Sequence, residues 1–129
     1  MAGLISNFEL TQQLERLIPS CSHLVIISAF MTQPATSWLL KLTAPSSARV
    51  HLVGRFTPND FSNGASDLNA LRDCLNRGYR VSALSNLHAK IYQIDYDTIF
   101  NGSANLTAKG LALVSNGNLE SCSKVEATV

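Results

Sequence analysis

The chain has 129 residues, 46% of them hydrophobic and 15% charged, with a formal net charge of +1. That length and composition match a globular chain with a real core and exclude a disordered one; residues 1–129 are expected to form a single domain. The near-neutral charge excludes a strongly cationic nucleic-acid binder but leaves a local basic site open. Cys21, Cys74 and Cys122 include no Cys-x-x-Cys pair. Neither a zinc site nor a disulfide framework is indicated, so a reducing cytoplasm is the expected setting. The first residues lack a basic region followed by a long apolar run, so neither a signal peptide nor a membrane span is expected.

Taken in order, residues 6–18 predict an amphipathic helix. Ser6 and Glu9 have capping-box spacing, Leu10, Leu14, Leu17 and Ile18 form one stripe, and Pro19 stops it. Residues 24–30 (LVIISAF) are a continuous apolar run of strand length, as in a strand covered on both faces. Thr32 and Pro34 predict the start of a second helix carrying Trp38, Leu39, Leu40 and Leu42, with Pro45 after it. Residues 49–56 predict the next strand, and residues 57–64 a polar loop at its carboxyl end. A helix over about 66–76 is predicted to turn Leu68, Leu71 and Leu75 inward and to stop at Gly78. A third strand follows over 79–84. Strand, helix, strand, helix, strand predicts an α/β fold: a mixed, mostly parallel sheet with helices on both faces. His23 and His51 have no partners in sequence and read as structural.

Residues 87–107 (LHAKIYQIDYDTIFNGSANLT) concentrate the chemistry. His88, Lys90 and Tyr92 alternate with Ala89, Ile91 and Gln93, a strand pattern that runs into the polar break at residues 95–98. With Tyr96-Asp97 as the loop of a hairpin, His88 faces Asn105 and Lys90 faces Ser103 on one side of an antiparallel pair. A nucleophile, a cation, a hydroxyl and an amide on one patch suit a bound phosphate. A short helix over 106–113 and a last strand over 117–122 complete the pattern.

His88-x-Lys90, four residues, Asp95, six residues and Gly102-Ser103-x-Asn105 resemble the signature of the phospholipase D superfamily. Asn118-Leu119-Glu120 resembles the Asn-x-Glu element that follows it in the nuclease branch. The resemblance implies a phospholipase D/nuclease-like fold and a two-step phosphodiesterase route through a covalent phosphohistidine at His88, with no metal and no cofactor. It implies that Glu120 accepts a hydrogen bond from the far nitrogen of His88 and fixes its tautomer, the part a third group plays in any triad. It also implies further chain after Glu120 in a complete domain, so truncation at the C-terminus belongs to the expectation.

Each residue also has a plainer reading. Standing alone, His88 reads as a strand histidine and Lys90 as a solvated lysine; within this constellation they read as nucleophile and phosphate partner. Ser103 and Asn105 suit turn chemistry and phosphate contact at once. Asp95 falls on the opposite face from His88 and is expected to be structural. Arg55 ends a strand and is expected to pair with Asp60 or Asp67, with substrate contact as the alternative. Asn118 is a weaker substrate-binding candidate.

One motif copy supplies one histidine, whereas the chemistry needs a second group to protonate the leaving oxygen. The resemblance implies a second motif across a two-fold axis, so a homodimer with a composite site is expected. The leading expectation is an endonuclease acting on nucleic acid, DNA rather than RNA, of the kind used in restriction or phage defence. The alternatives are a lipid phosphodiesterase or phosphatidyl transferase, and a non-catalytic nucleic-acid-binding or dimerisation module.

Overall fold

The apolar runs do become strands, but shorter ones than their hydropathy suggests. The computed structural model describes residues 2–127. The strands are β1 (Ala2–Ser6), β2 (His23–Ile27), β3 (Arg49–Gly54), β4 (Arg80–Ala83), β5 (Ile91–Ile94), β6 (Thr98–Gly102) and β7 (Ser121–Glu126). The helices are α1 (Asn7–Leu17), α2 (Gln33–Thr43), α3 (Pro58–Ser62) and α4 (Leu68–Arg77). The strands form one sheet in the order β1-β7-β6-β5-β2-β3-β4.

The sheet is mixed, as expected, but mostly antiparallel rather than mostly parallel. Only β2–β3 and β3–β4 are parallel, because only those pairs are joined by crossovers with a long helix, α2 and α4. The pairs β2–β5, β5–β6, β6–β7 and β7–β1 are all antiparallel. β1 was not legible as a strand; it exists through its pairing with β7, Ser6 opposite Ser121.

Helix ends follow their local chemistry. Ser6 Oγ accepts from Glu9 N at 3.2 Å to cap α1. Gly78, at φ +98°, closes α4 in the left-handed region. Within α4 the inward residues are Ala70, Leu71 and Cys74, whereas Leu68 and Leu75, expected inward, are each 56% exposed. The inward stripe runs at i, i+1 and i+4 from Ala70, and Leu68 and Leu75 flank it. The polar loop expected over 57–64 contains α3, because Thr57 and Asp60 form a reciprocal capping box around Pro58. The helix expected over 106–113 is instead a series of turns. Side chains of α1 brace these turns: Asn7 Nδ2 donates to Gly110 O at 2.9 Å and Thr11 Oγ1 to Leu111 O at 2.5 Å.

The core lies on one face of the sheet. Leu24 and Ile26 of β2, Val50 and Leu52 of β3, Tyr92 and Ile94 of β5 and Phe100 of β6 are buried against Leu10 and Leu14 of α1, Ala35 and Leu39 of α2 and Cys74 of α4. Fully burying a side chain of this size contributes about 1.5–3 kcal/mol. Helices were expected on both faces, yet the buried residues of α1, α2 and α4 all face this side. The alternate strand residues Val25, Ile27, Val53, Ile91 and Ile99 stay partly exposed on the other. No helix among the described residues is long and apolar enough to cross a membrane.

Candidate active site

The motif hairpin forms, one residue out of its expected register. The turn holds three residues, Asp95 to Asp97, so Ile91 pairs with Asn101 and Ile94 with Thr98. Lys90 therefore meets Gly102 rather than Ser103, and Gly102 N donates to Lys90 O at 3.2 Å. The extra turn residue is accommodated at Asp95, whose φ of +53° lies in the left-handed region. The side chain of Asp95 anchors that turn, its Oδ1 accepting from Ser22 N at 2.9 Å and His23 N at 3.1 Å. His88 and Lys90 precede β5 in irregular chain instead of lying on a strand.

The candidate residues nonetheless gather at one end of the sheet. Lys90 leads into β5, Ser103 leaves β6, Glu120 leads into β7, and Ser6 ends β1. The carboxyl ends of β2 and β3, with Ser28 and Arg55 just beyond them, lie at the same end. Ser103 N donates to Ser121 O at 3.0 Å, and Ser121 N donates to Ser103 Oγ at 3.2 Å. That clamp sets Ser103 beside Glu120. Gly102 is required there because a Cβ would run into Ser121 O and Cys122 of the adjoining strand.

His88 is exposed, and its backbone oxygen accepts from Lys90 Nζ at 3.0 Å. The hydrogen bond expected between His88 and Glu120 is not formed in the single chain. Glu120 Oε2 accepts from Asn118 Nδ2 at 3.2 Å instead. Asn105 lies across the β2 end, its Oδ1 accepting from Ser28 Oγ at 3.1 Å. Arg55 pairs with Asp60, Nε donating to Oδ2 at 2.8 Å and Nη2 to Oδ1 at 2.5 Å. This hydrogen-bonded pair holds the Asp60 carboxyl far below the usual carboxylate range. The Arg55 guanidinium also sits 4.8 Å from the centroid of the Phe30 ring.

Two open clefts flank these residues. One, of about 530 Å3, has Ser103 and Glu120 among its walls together with Leu4 and Leu119. The two leucines are 76% and 95% exposed, an apolar surface directly beside the site. The other, of about 340 Å3, is lined by Asn105, Asn118, Phe30 and Lys109. Among the described residues no three His, Cys, Asp or Glu side chains gather as a metal site.

Sequence reasoning missed four supports. Asn7, 3% exposed, braces the Asn118–Glu120 segment, its Nδ2 donating to Asn118 O at 2.9 Å and its Oδ1 accepting from Glu120 N at 3.3 Å. Ser28, fully buried, accepts from Leu106 N at 2.9 Å and so fixes the segment after Asn105; the signal was a lone hydroxyl inside the apolar run 24–30. Tyr92 is buried and its hydroxyl donates to Ala104 O at 2.9 Å, while burial, with Cys122 and Glu120 adding to it, pushes its phenol pKa up. Lys109 adds a cation beside Asn105 that the interval between Asn105 and Asn118 concealed.

The family model described as "Cardiolipin synthase, PLD-like domain" matches residues 14–128. No curated protein matches the chain. Among solved structures the fold is similar to the phospholipase D family member Nuc from Salmonella typhimurium, with a TM-score of 0.74, 16% identity, and 99% of this chain against 84% of that one. It is similar to phosphatidylserine synthase from Haemophilus influenzae, at TM-score 0.71 and 15% identity over 98% of this chain and 33% of that one. It is also similar to TrmBL2, an archaeal chromatin protein described as binding DNA, at TM-score 0.60 and 11% identity over 98% of this chain and 45% of that one. With a family match across nearly the whole length and the motif residues at one end of the sheet, the chain belongs to the phospholipase D superfamily.

Proposed function

We propose that the protein is a metal-independent phosphodiesterase that hydrolyses nucleic-acid phosphodiester bonds through a covalent intermediate on His88. The observation carrying this reading is the convergence of Lys90, Ser103, Asn105 and Glu120 at one end of the sheet, where His88 is exposed. An imidazole nitrogen of His88 attacks phosphorus, the bond to the leaving oxygen breaks, and a proton is delivered to that oxygen. Water then attacks the phosphohistidine and gives a proton to the group that protonated the leaving oxygen, the phosphorus–nitrogen bond breaks, and both groups return to their starting states. Lys90 and the Asn105 amide N–H groups offset phosphate charge as it grows in the transition state. Glu120 turns from Asn118 to the far nitrogen of His88 when substrate closes the site. Arg55 remains with Asp60 and shapes the rim through Phe30, while Asn118 and Lys109 contact the substrate strand.

The proton for the leaving group comes from His88 of a second copy. The apolar wall of Leu4 and Leu119 beside Ser103 and Glu120 suits an isologous contact that brings two sites together. DNA is the favoured substrate, and a fold neighbour described as binding DNA adds support. Incubation with plasmid DNA in EDTA tests the reading: wild type nicks or linearises the plasmid and His88→Ala does not. Strict dependence on added Mg2+, or undiminished cleavage by His88→Ala, overturns it.

The same exposed leucines favour one alternative, a lipid phosphodiesterase or phosphatidyl transferase. Release of a headgroup alcohol from phospholipid vesicles, with no action on DNA, supports that alternative.

A further inference from the structure

The opposite end of the sheet carries a second cluster, outside the motif. Along a strand, alternate residues share a face. His23 of β2 pairs in register with Arg49 of β3, and Val25, His51 and Arg80 form the next row. His23, Arg49, His51 and Arg80 therefore lie together on the face away from the core, at the amino ends of the parallel strands. Tyr96, at the tip of the β5–β6 turn, brings its ring to 5.0 Å from that of His23. These five residues line an open cleft of about 500 Å3 that has no carboxylate in its walls. The cleft meets a second, of about 710 Å3, at His23 and Arg49.

We propose that this cleft binds a nucleotide unit, its phosphate between Arg49 and Arg80 and its base against the Tyr96 ring. Neither arginine has a carboxylate partner among the described residues, and both are exposed. Two unpaired guanidiniums on adjacent strands form a bidentate-capable pair for phosphate oxygens. Charge comes from the arginines. His51 is held below its ordinary pKa by burial and then by Arg80, and its Nε2 pairs with Ser82 Oγ at 2.8 Å, which makes it a neutral wall. Asp95, next to Tyr96 in the chain, is turned onto the amides of Ser22 and His23 and leaves the phosphate position uncontested. A Tyr96 ring that is 74% exposed is a stacking platform that any base can use.

The phosphate has two possible sources, a free nucleotide or a unit within a strand. The strand form rests on the nucleic-acid reading above; the free form does not. At about 3.3 Å per residue, the five steps from His23 to Ser28 separate this cleft from the motif end by roughly 16 Å. At about 3.4 Å per phosphate along one strand, about five nucleotides cover that span, so a single strand held here reaches the reacting end.

Calorimetric titration of the full chain with dAMP, with inorganic phosphate and with a short oligodeoxynucleotide tests the proposal. Wild type is expected to bind at least one probe, and Arg49→Ala/Arg80→Ala to weaken it by about tenfold or more. Arg49→Lys/Arg80→Lys is expected to recover part of the loss, and Tyr96→Ala to weaken dAMP while sparing phosphate. Preference for dAMP assigns a free nucleotide, and preference for the oligomer assigns a strand. No binding of any probe by wild type, or equal binding by the double alanine variant, overturns the site. Plasmid cleavage by the same variants keeps the two readings apart. Loss of probe binding without any nuclease activity retains this site and removes the nuclease, while His88-dependent cleavage with unchanged probe binding does the reverse.

Discussion

Asn7 grips both backbone groups of Glu120: Asn7 N donates to Glu120 O at 3.1 Å, and Glu120 N donates to Asn7 Oδ1 at 3.3 Å. The same amide donates to Gly110 O and Asn118 O. A side chain at the start of α1 therefore places the acid proposed to orient His88. Asn7→Ala removes the partner of the buried Gly110 carbonyl and of the half-buried Asn118 carbonyl and Glu120 N–H, a buried unpaired group costing about 1–3 kcal/mol. The variant is expected to lose about 3 kcal/mol in urea unfolding and to lose phosphodiesterase activity beyond what unfolding explains. Asn7→Asp, which keeps only the acceptor, is expected to be nearly as damaging.

Gly102→Ala is expected to fail for a different reason. Its Cβ meets the Ser121 carbonyl and Cys122 across the β6–β7 pair, and backbone cannot swing aside as a side-chain tip does. Overpacking of this kind costs about 1–3 kcal/mol. A fall in thermal midpoint should accompany the loss of the Ser103–Ser121 clamp. An unchanged midpoint would show that β6 and β7 separate easily.

Asp95 distinguishes scaffold from chemistry within the motif. Asp95→Asn keeps an acceptor for Ser22 and His23 and tolerates the left-handed turn, so it is expected to cost less than about 1 kcal/mol and to retain most activity. Asp95→Ala loses both bonds at a positive φ and is expected to cost about 2 kcal/mol while the folded fraction stays active. A folded but inactive Asp95→Asn protein would place this carboxylate in the reaction instead.

Acid should reveal the Arg55–Asp60 pair. Asp60 has a folded pKa depressed below its ordinary value of 3.8 by the Arg55 hydrogen bonds. Its contribution to stability is therefore complete above that ordinary value and disappears as pH falls below it toward the depressed folded value. Urea midpoints measured from pH 6 downwards should fall more steeply in wild type than in Asp60→Asn below about pH 4. Parallel curves would show that the pair adds no net stability.

Chain-local signals were the legible ones. Ser6 with Glu9, Gly78 after its helix and the run around Ile26 each act through neighbours in sequence, and each marked an element. The motif spacing gave the family and the set of residues that converge. What stayed hidden depended on distant partners. β1 exists because β7 lies beside it, and the turns over 106–113 are held from outside by Asn7 and Thr11, which donate to the carbonyls of Gly110 and Leu111. The register slip at Asp95 came from a third turn residue, tolerated at positive φ because Ser22 and His23 bind the carboxylate. The mostly antiparallel sheet followed from β5, β6 and β7 adding beside β2 without crossover helices.

The pairing of β1 with β7 also has a kinetic side. Asn7 and Glu120 are 113 residues apart, and closing a loop of that length costs about 4 kcal/mol in chain entropy before any contact forms. Pairings of such sequence separation form late. The hairpin β5–β6 and the β2–β3–β4 block are expected to gain hydrogen-exchange protection first, with the amides of β1 and Glu120 protected last. A nascent chain would thus hold a folded sheet before Glu120, the acid proposed to orient His88, arrives, so the proposed site would be completed only when β7 docks beside β1.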